Sequence, residues 1–221
     1  MSSDRSLVGG SGFRYGLVFF ITLVLVVYAI AAPAGPRARA VAVALEAMAL
    51  TVVMATSRAR AEIRRIRAVV AAAAGALVVV LVGADVVSDA FSFAVAGVIA
   101  FAIPATLVGG LARLIRDRGV TLRAVGGALT IYLYVGLLFA WAYALISAVS
   151  DSPFFNTTSV EAGDRVYFSF TTLTTTGYGD LTPVTQLGHA LAVVEMLTGQ
   201  LYLVTVIGVL VGDLVGRRRA G

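Results

Sequence analysis

Six apolar runs, most of them long enough to cross a membrane, constrain this chain's fold more than any other feature. They are Phe13 to Ala32, Val41 to Thr56, Ala68 to Val87, Ala90 to Leu111, Val125 to Val149 and Leu187 to Val215. At about 1.5 Å per residue, roughly twenty residues of helix cover a hydrocarbon core of about 30 Å. Lipid offers backbone groups no hydrogen-bond partner, so a spanning segment must satisfy its own, which a helix does. The expected fold is therefore an all-α membrane protein with six transmembrane helices. Val41 to Thr56 is the weakest of the six, being short and carrying Glu46. With 59% of its 221 residues apolar, the chain is not a soluble domain around a large core. It has no Cys, which excludes disulfides and thiolate metal sites, and the lone His189 excludes a histidine cluster.

A net charge of +5 would suit a nucleic-acid partner, but the placement of the charges argues against one. Every basic residue is Arg, and the arginines gather in the connections between apolar runs. With both termini cytoplasmic, Arg5, Arg14, the group from Arg58 to Arg67, the group from Arg113 to Arg123, and Arg217 to Arg219 all lie inside. Only Arg37, Arg39 and Arg165 lie outside, a split of fourteen to three that sets the orientation of a multi-pass cell-membrane protein. Residues 1–12 are polar and Gly/Ser-rich and are expected to be disordered. Arg5 and Arg14 before the first run would also suit a signal peptide, but the run is long for one, which favours a retained span. Pro33 to Pro36 should break the helix into a tight outer turn. The cluster from Arg58 to Arg67 is read as a positive-inside anchor, with an anionic-lipid site as the alternative.

One stretch between the last two apolar runs is too polar to span. Val166 to Pro183 reads V-Y-F-S-F-T-T-L-T-T-T-G-Y-G-D-L-T-P. Its centre, Thr175-Thr176-Gly177-Tyr178-Gly179, matches the T-x-G-Y-G signature of potassium-channel selectivity filters, and Val125 to Val215 resembles the pore of the tetrameric potassium-channel family. A filter needs an extended strand whose carbonyl oxygens all face a line of dehydrated ions. Alternating handedness of the backbone produces that, and Gly at every second position permits it without steric cost. The resemblance implies potassium at Thr175, Thr176, Gly177 and Tyr178, with Asp180 at the outer mouth. The permeant ions apart, no cofactor is expected. One chain offers one strand, so a carbonyl cage requires four chains around a common axis, and the resemblance implies the same homotetramer.

Asp164 to Thr175 reads as a short re-entrant pore helix, with Glu161 and Asp164 at the positive end of its dipole. By the resemblance, Tyr167 and Phe168 belong to an aromatic cuff around the filter; interfacial anchoring is the plainer role. Some relatives carry at Thr171 a Glu that bonds behind the filter, so that brace is absent here. Thr176 stands where an apolar residue is commoner. Glu195, well inside the sixth run, is expensive in lipid and marks either a substitute brace reaching Thr171 or Thr172, or a structural interhelical bond. Gly199 falls where the family's gating hinge lies. Gly208, Gly212 and Gly216 recur at four-residue spacing, which suits close helix packing. His189, at the outer start of the sixth run, is read as a passive interfacial residue rather than a titrating one. Asn156-Thr157-Thr158 forms a glycosylation sequon in the outer loop.

The expected organisation is a tail at 1–12, a four-helix bundle at 13–111, a cytoplasmic linker at 112–124, a pore domain at 125–215 and a basic tail at 216–221. Steep voltage sensing is not expected, because Ala90 to Leu111 contains no basic residue and each charge yields only about 2.3 kcal/mol per 100 mV. No nucleophile–base pair or phosphate loop is present, so no enzyme is expected. The reading is a potassium-selective channel. The alternatives are a weakly selective cation channel, a potassium-transport subunit and a non-conducting membrane scaffold.

Overall fold

The computed structural model describes residues 6–33, 35–56, 61–157 and 159–219. Regular structure there is helical, apart from one isolated antiparallel bridge between Phe155 and Pro183. The elements are α1 (Ser6–Ala31), α2 (Pro36–Thr56), α3 (Ala61–Gly83), α4 (Asp89–Arg118), α5 (Leu122–Val149), α6 (Ala162–Leu173) and α7 (Gln186–Leu201). A π-helical stretch, Tyr202–Ile207, then leads into α8 (Gly208–Arg219). Five helices among the described residues are long and apolar enough to cross a membrane, and Gly16–Ala31 is a shorter apolar one.

The helix ends follow local chemistry. Pro36 opens α2, where its fixed φ and missing N–H cost nothing. Ser88 caps α4 by accepting from the Phe91 N–H, and Thr121 caps α5 by accepting from the Ala124 N–H. Two expectations are corrected at these ends. The segment expected to be disordered as far as Gly12 is helical from Ser6, because its glycines weaken a helix without breaking it as Pro would; residues 1–5 lie outside the described part. The linker expected at 112–124 is also mostly helix. Nothing in Ala112 to Arg118 stops α4, and the chain turns only at Gly119, whose φ of +70° favours glycine. Arg113 therefore rides on α4, donating to the Gly109 carbonyl at 2.9 Å. Arg58, Arg60 and Thr158 lie outside the described residues.

Helix α5 is the centre of the packing. It touches α1, α4, α6 and α7, and 56% of its apolar window is buried against 11% for α3, which leaves α3 as an outer helix. One apolar core runs from Val18 and Leu25 of α1 through Ile103 of α4 to Leu137 and Ala144 of α5. At one end, Arg39 pairs with Asp85 and Asp89, tying α2 to the α3–α4 connection. Glu46, the residue that weakened the second span on paper, is fully buried and accepts a 2.7 Å hydrogen bond from the Trp141 indole N–H. The bundle also reaches α6: a Cβ on Gly163 would lie 2.7 Å from the Ile30 carbonyl oxygen of α1. The Arg165 guanidinium sits 5.8 Å from the centre of the Phe93 ring.

Candidate functional site: the loop between α6 and α7

The loop begins where α6 ends. Glu161 and Asp164 cap the start of α6 reciprocally, and the Glu161 N–H donates to Asp164 Oδ2 at 2.8 Å. The helix covers Ala162–Leu173, two residues earlier at each end than expected, because that capping box starts it at Glu161 and the Thr-rich turn ends it. At the other end the N–H groups of four successive residues fold back onto its carbonyls. Thr174 donates to Phe170 O at 3.1 Å, Thr175 to Thr172 O at 2.9 Å, and Thr176 and Gly177 to Thr171 O at 2.8 and 3.1 Å. These bonds occupy oxygens that a helix end otherwise leaves open.

The donors of this segment are thus spent on α6. Among the described residues, no donor reaches the carbonyl oxygen of any residue from Thr175 to Gly179. The backbone handedness alternates as well, with φ of +60° at Thr175, +53° at Gly177 and +81° at Gly179. The two glycines take this conformation freely, whereas Thr175, a β-branched residue, is strained there. That third position was not legible as left-handed from the sequence. Around both glycines space is open, with no atom within 4 Å of an added Cβ, so φ alone requires them. Thr174 to Asp180 is exposed in the single chain, and Tyr178 is 70% exposed.

Tyr167 stacks on Tyr178 with ring centres 6.2 Å apart and planes 1° apart. Its hydroxyl donates to Asp180 Oδ2 at 2.9 Å, and that bond pushes the Tyr167 phenol up from its ordinary value. Asp180 Oδ1 accepts from the Leu181 N–H at 3.0 Å, so both carboxylate oxygens are engaged. Phe168 turns away from Tyr178. It packs edge-on against Tyr143 and Phe155 in an aromatic cluster that also takes in Phe154. His189 Nε2 lies 2.8 Å from the Pro183 carbonyl oxygen, joining the start of α7 to the end of the loop.

Behind the segment lies Glu195, fully buried on α7. Its partners are not Thr171 or Thr172. Tyr143 of α5 donates to Oε2 at 2.7 Å, and the Ser169 hydroxyl of α6 contacts Oε1. Ser169 also lies 2.7 Å from the Gly136 carbonyl oxygen; with one hydroxyl hydrogen it donates to only one of the two. Thr171 bonds within its own helix, to Phe168 O at 3.0 Å, and cannot reach across. Ser169 was missed because a lone Ser in an amphipathic helix carries no signal of its own. Tyr143 was visible as an aromatic of the fifth run, but its partner was not.

Gly199 marks the closest approach of α7 to α6. An added Cβ would lie 2.9 Å from Leu173 Cδ1, 3.0 Å from the Leu173 carbonyl carbon and nearer still to its oxygen. The same carbonyl accepts from the Tyr132 hydroxyl at 3.3 Å. Helical irregularity appears just beyond, in the π-helical Tyr202–Ile207, where the Tyr202 hydroxyl donates to Ala128 O at 2.7 Å.

Residues 128–215, which contain every group just described, match the sequence family described as "Ion channel". A relative of Methanocaldococcus jannaschii, "Probable potassium channel protein 2", is 42% identical over 67 residues. This part of the chain is similar to ion channels, and 67 of its residues to one described as a potassium channel. The aligned stretch covers 30% of this chain and 17% of the relative's length, so the likeness is to one part of that protein. Along this stretch α5, α6, the T-T-G-Y-G loop and α7 follow one another.

Proposed function

We propose that the chain is one subunit of a homotetrameric, potassium-selective channel that passes ions down their gradient. The observation that carries this reading is the one-sidedness of the loop: its N–H groups from Thr174 to Gly177 are tied to α6, while among the described residues no donor reaches the oxygens of Thr175 to Gly179. Left-handed backbone at every second residue turns successive carbonyls to one side, and a row of such oxygens can replace the hydration shell of a cation. Thr175, Thr176, Gly177 and Tyr178 hold the ions in this reading, and Asp180 stands at the outer mouth. Tyr167, Phe168 and Glu195 support the strand from outside and behind.

Four copies are required because irregular, polar backbone at membrane depth is tolerated only when buried in protein or facing water. In a single chain this segment is exposed. In this reading six spans, with α1 as the first and α6 entering the membrane without crossing it, put both termini on one side, and the arginine distribution makes that side the cytoplasm.

The test is a reversal-potential measurement on purified protein in planar bilayers with potassium and sodium on opposite sides. A potassium-selective pore moves the reversal potential by about 59 mV per tenfold change in potassium gradient, the slope for one charge. A value that ignores the exchange of sodium for potassium would replace this reading with a weakly selective cation channel. Absence of current from well-assembled protein would leave a membrane scaffold.

A further inference from the structure

The outer loop between α5 and α6 pairs with the segment that follows the filter, and the sequon asparagine is part of that contact. Phe155 and Pro183 form the isolated antiparallel bridge. The Val184 N–H donates to Phe154 O and the Asn156 N–H to Thr182 O, both at 2.9 Å. The Asn156 side chain extends this pairing. Its Oδ1 accepts from the Thr182 N–H at 3.1 Å, and its Nδ2 donates to the Asp180 carbonyl at 3.4 Å. Asp180 directly follows Gly179, so this contact is on the first residue beyond the proposed ion path.

The other end of the clasp is held fast. Phe154 and Phe155 are each 3% exposed, packed with Tyr143 of α5 and Phe168 of α6. A Cβ on Gly188 would meet Pro183 Cβ at 2.6 Å and the Phe154 ring at 2.9 Å, so the start of α7 closes over the clasp from the far side. Asn156 is exposed, yet its carboxamide is not free. Here both ends of the carboxamide are used, on residues 24 and 26 positions further along the chain. The nitrogen that a glycan would occupy is the one that faces Asp180.

We infer that Asn156 is a positioning residue for the outer end of the filter: it holds the exit of the strand in register with the aromatic cluster, so that Tyr178 and Gly179 keep a conducting geometry. This rests on the pore reading given above. The chemistry requires a carboxamide. Asp would keep the acceptor for the Thr182 N–H but would set an oxygen against the Asp180 carbonyl. Ala removes both side-chain bonds and leaves only the backbone pairing.

The experiment compares wild type, Asn156→Ala and Asn156→Asp, as full-length protein in planar bilayers. Wild type must first pass potassium-selective current; if it does not, the pore reading fails and the positioning role is not at issue. Given that current, each variant should favour a non-conducting state about tenfold more than wild type, equivalent to about 1.4 kcal/mol. This is read as the ratio of steady to initial current, with assembly unchanged on size-exclusion chromatography. Raising external potassium should restore the steady current, because an ion that binds only the conducting geometry stabilises it by mass action. A loop that served folding alone would not respond to potassium. Wild-type steady current and selectivity in both variants would overturn the inference. So would failure of both to assemble, which would assign Asn156 to folding.

Discussion

Gly199→Ala distinguishes two roles by the sign of its effect. A hinge glycine is kept for freedom, and replacing it inside a helix should stabilise the fold by about 1 kcal/mol, the propensity gain of Ala over Gly. A contact glycine is kept for space. At Gly199 the new methyl would lie 2.9 Å from Leu173 Cδ1 and 3.0 Å from the Leu173 carbonyl carbon. Carbon pairs are most favourable at about 3.5–4.0 Å, so α7 must retreat by about 0.5–1 Å or the last turn of α6 must shift. The Leu side chain can turn away, but the carbonyl cannot, because it ends α6 and is held by Tyr132. Overpacking costs about 1–3 kcal/mol, and the obstruction here is backbone, which places the cost near the upper end. Subtracting the propensity gain leaves a net loss of about 2 kcal/mol. Thermal unfolding of the purified protein in mild detergent should therefore show a lower midpoint for the variant, with current reduced through the displaced end of α6. A midpoint equal to or above wild type, with altered opening, would refute the contact argument and restore Gly199 as a hinge.

Gly177→Ala forces a left-handed φ of +53° on a residue with a Cβ, at a cost of roughly 1–2 kcal/mol, and should abolish potassium flux while size-exclusion chromatography shows assembly intact. Retained selective flux would count against the filter assignment. Glu195→Ala strips the acceptor from the Tyr143 hydroxyl in a buried site, while Ser169 keeps the Gly136 carbonyl, and should lower stability by about 1–3 kcal/mol, whereas Glu195→Gln, which keeps an acceptor and a donor there, should stay within about 1 kcal/mol of wild type. Equal melting of all three proteins would show that the brace carries no energy. Removal of residues 1–123 takes away the α1 surface against Gly163 and the Phe93 ring beside Arg165, so the remaining chain should fail to assemble, as read by size-exclusion chromatography. A stable assembly would show that α5 to α8 are self-sufficient.

Much of the helical layout could be read from the chain because hydropathy and proline act locally. Ser88 and Thr121 cap their helices by local chemistry, while Pro36, expected within a turn ahead of a run from Val41, already opens α2. The alternation at Gly177 and Gly179 was likewise legible, since only glycine takes such φ values freely. What could not be read depends on which helix meets which. Thr175 reaches φ +60° because its own N–H is tied to Thr172 O and that of Thr176 to Thr171 O, not through any preference of its own. The partners of Glu195 depend on the rotation of α6, which places Ser169 towards α7 and leaves Thr171 bonded within its own helix. Arg113 and Arg116 looked like linker residues because an apolar run ends at Leu111, yet a helix continues until something stops it, and here that is Gly119.

The two buried carboxyls show how such packing can be specified in lipid. Apolar side chains gain little by leaving lipid for one another, so Leu, Val and Ala surfaces set the rotation and height of a helix only weakly. On α5, Trp141 and Tyr143 are two residues apart, about 200° around the helix at 3.6 residues per turn, and so face opposite sides. Trp141 donates to Glu46 of α2, and Tyr143 donates to Glu195 of α7. Each bond is short, buried and satisfied at only one rotation and one height of the partner helix. Interhelical hydrogen bonds of this kind are worth only about 0.6–2 kcal/mol, too little to hold helices together alone. They need not do so: misplacing either helix by one residue would leave a carboxyl in the apolar interior without its donor, and that penalty selects one register among many of similar packing energy. Glu46 and Glu195, which looked like flaws in their spans, tie α2 and α7 to opposite sides of α5, Glu46 through the long Trp141 side chain and Glu195 through Tyr143.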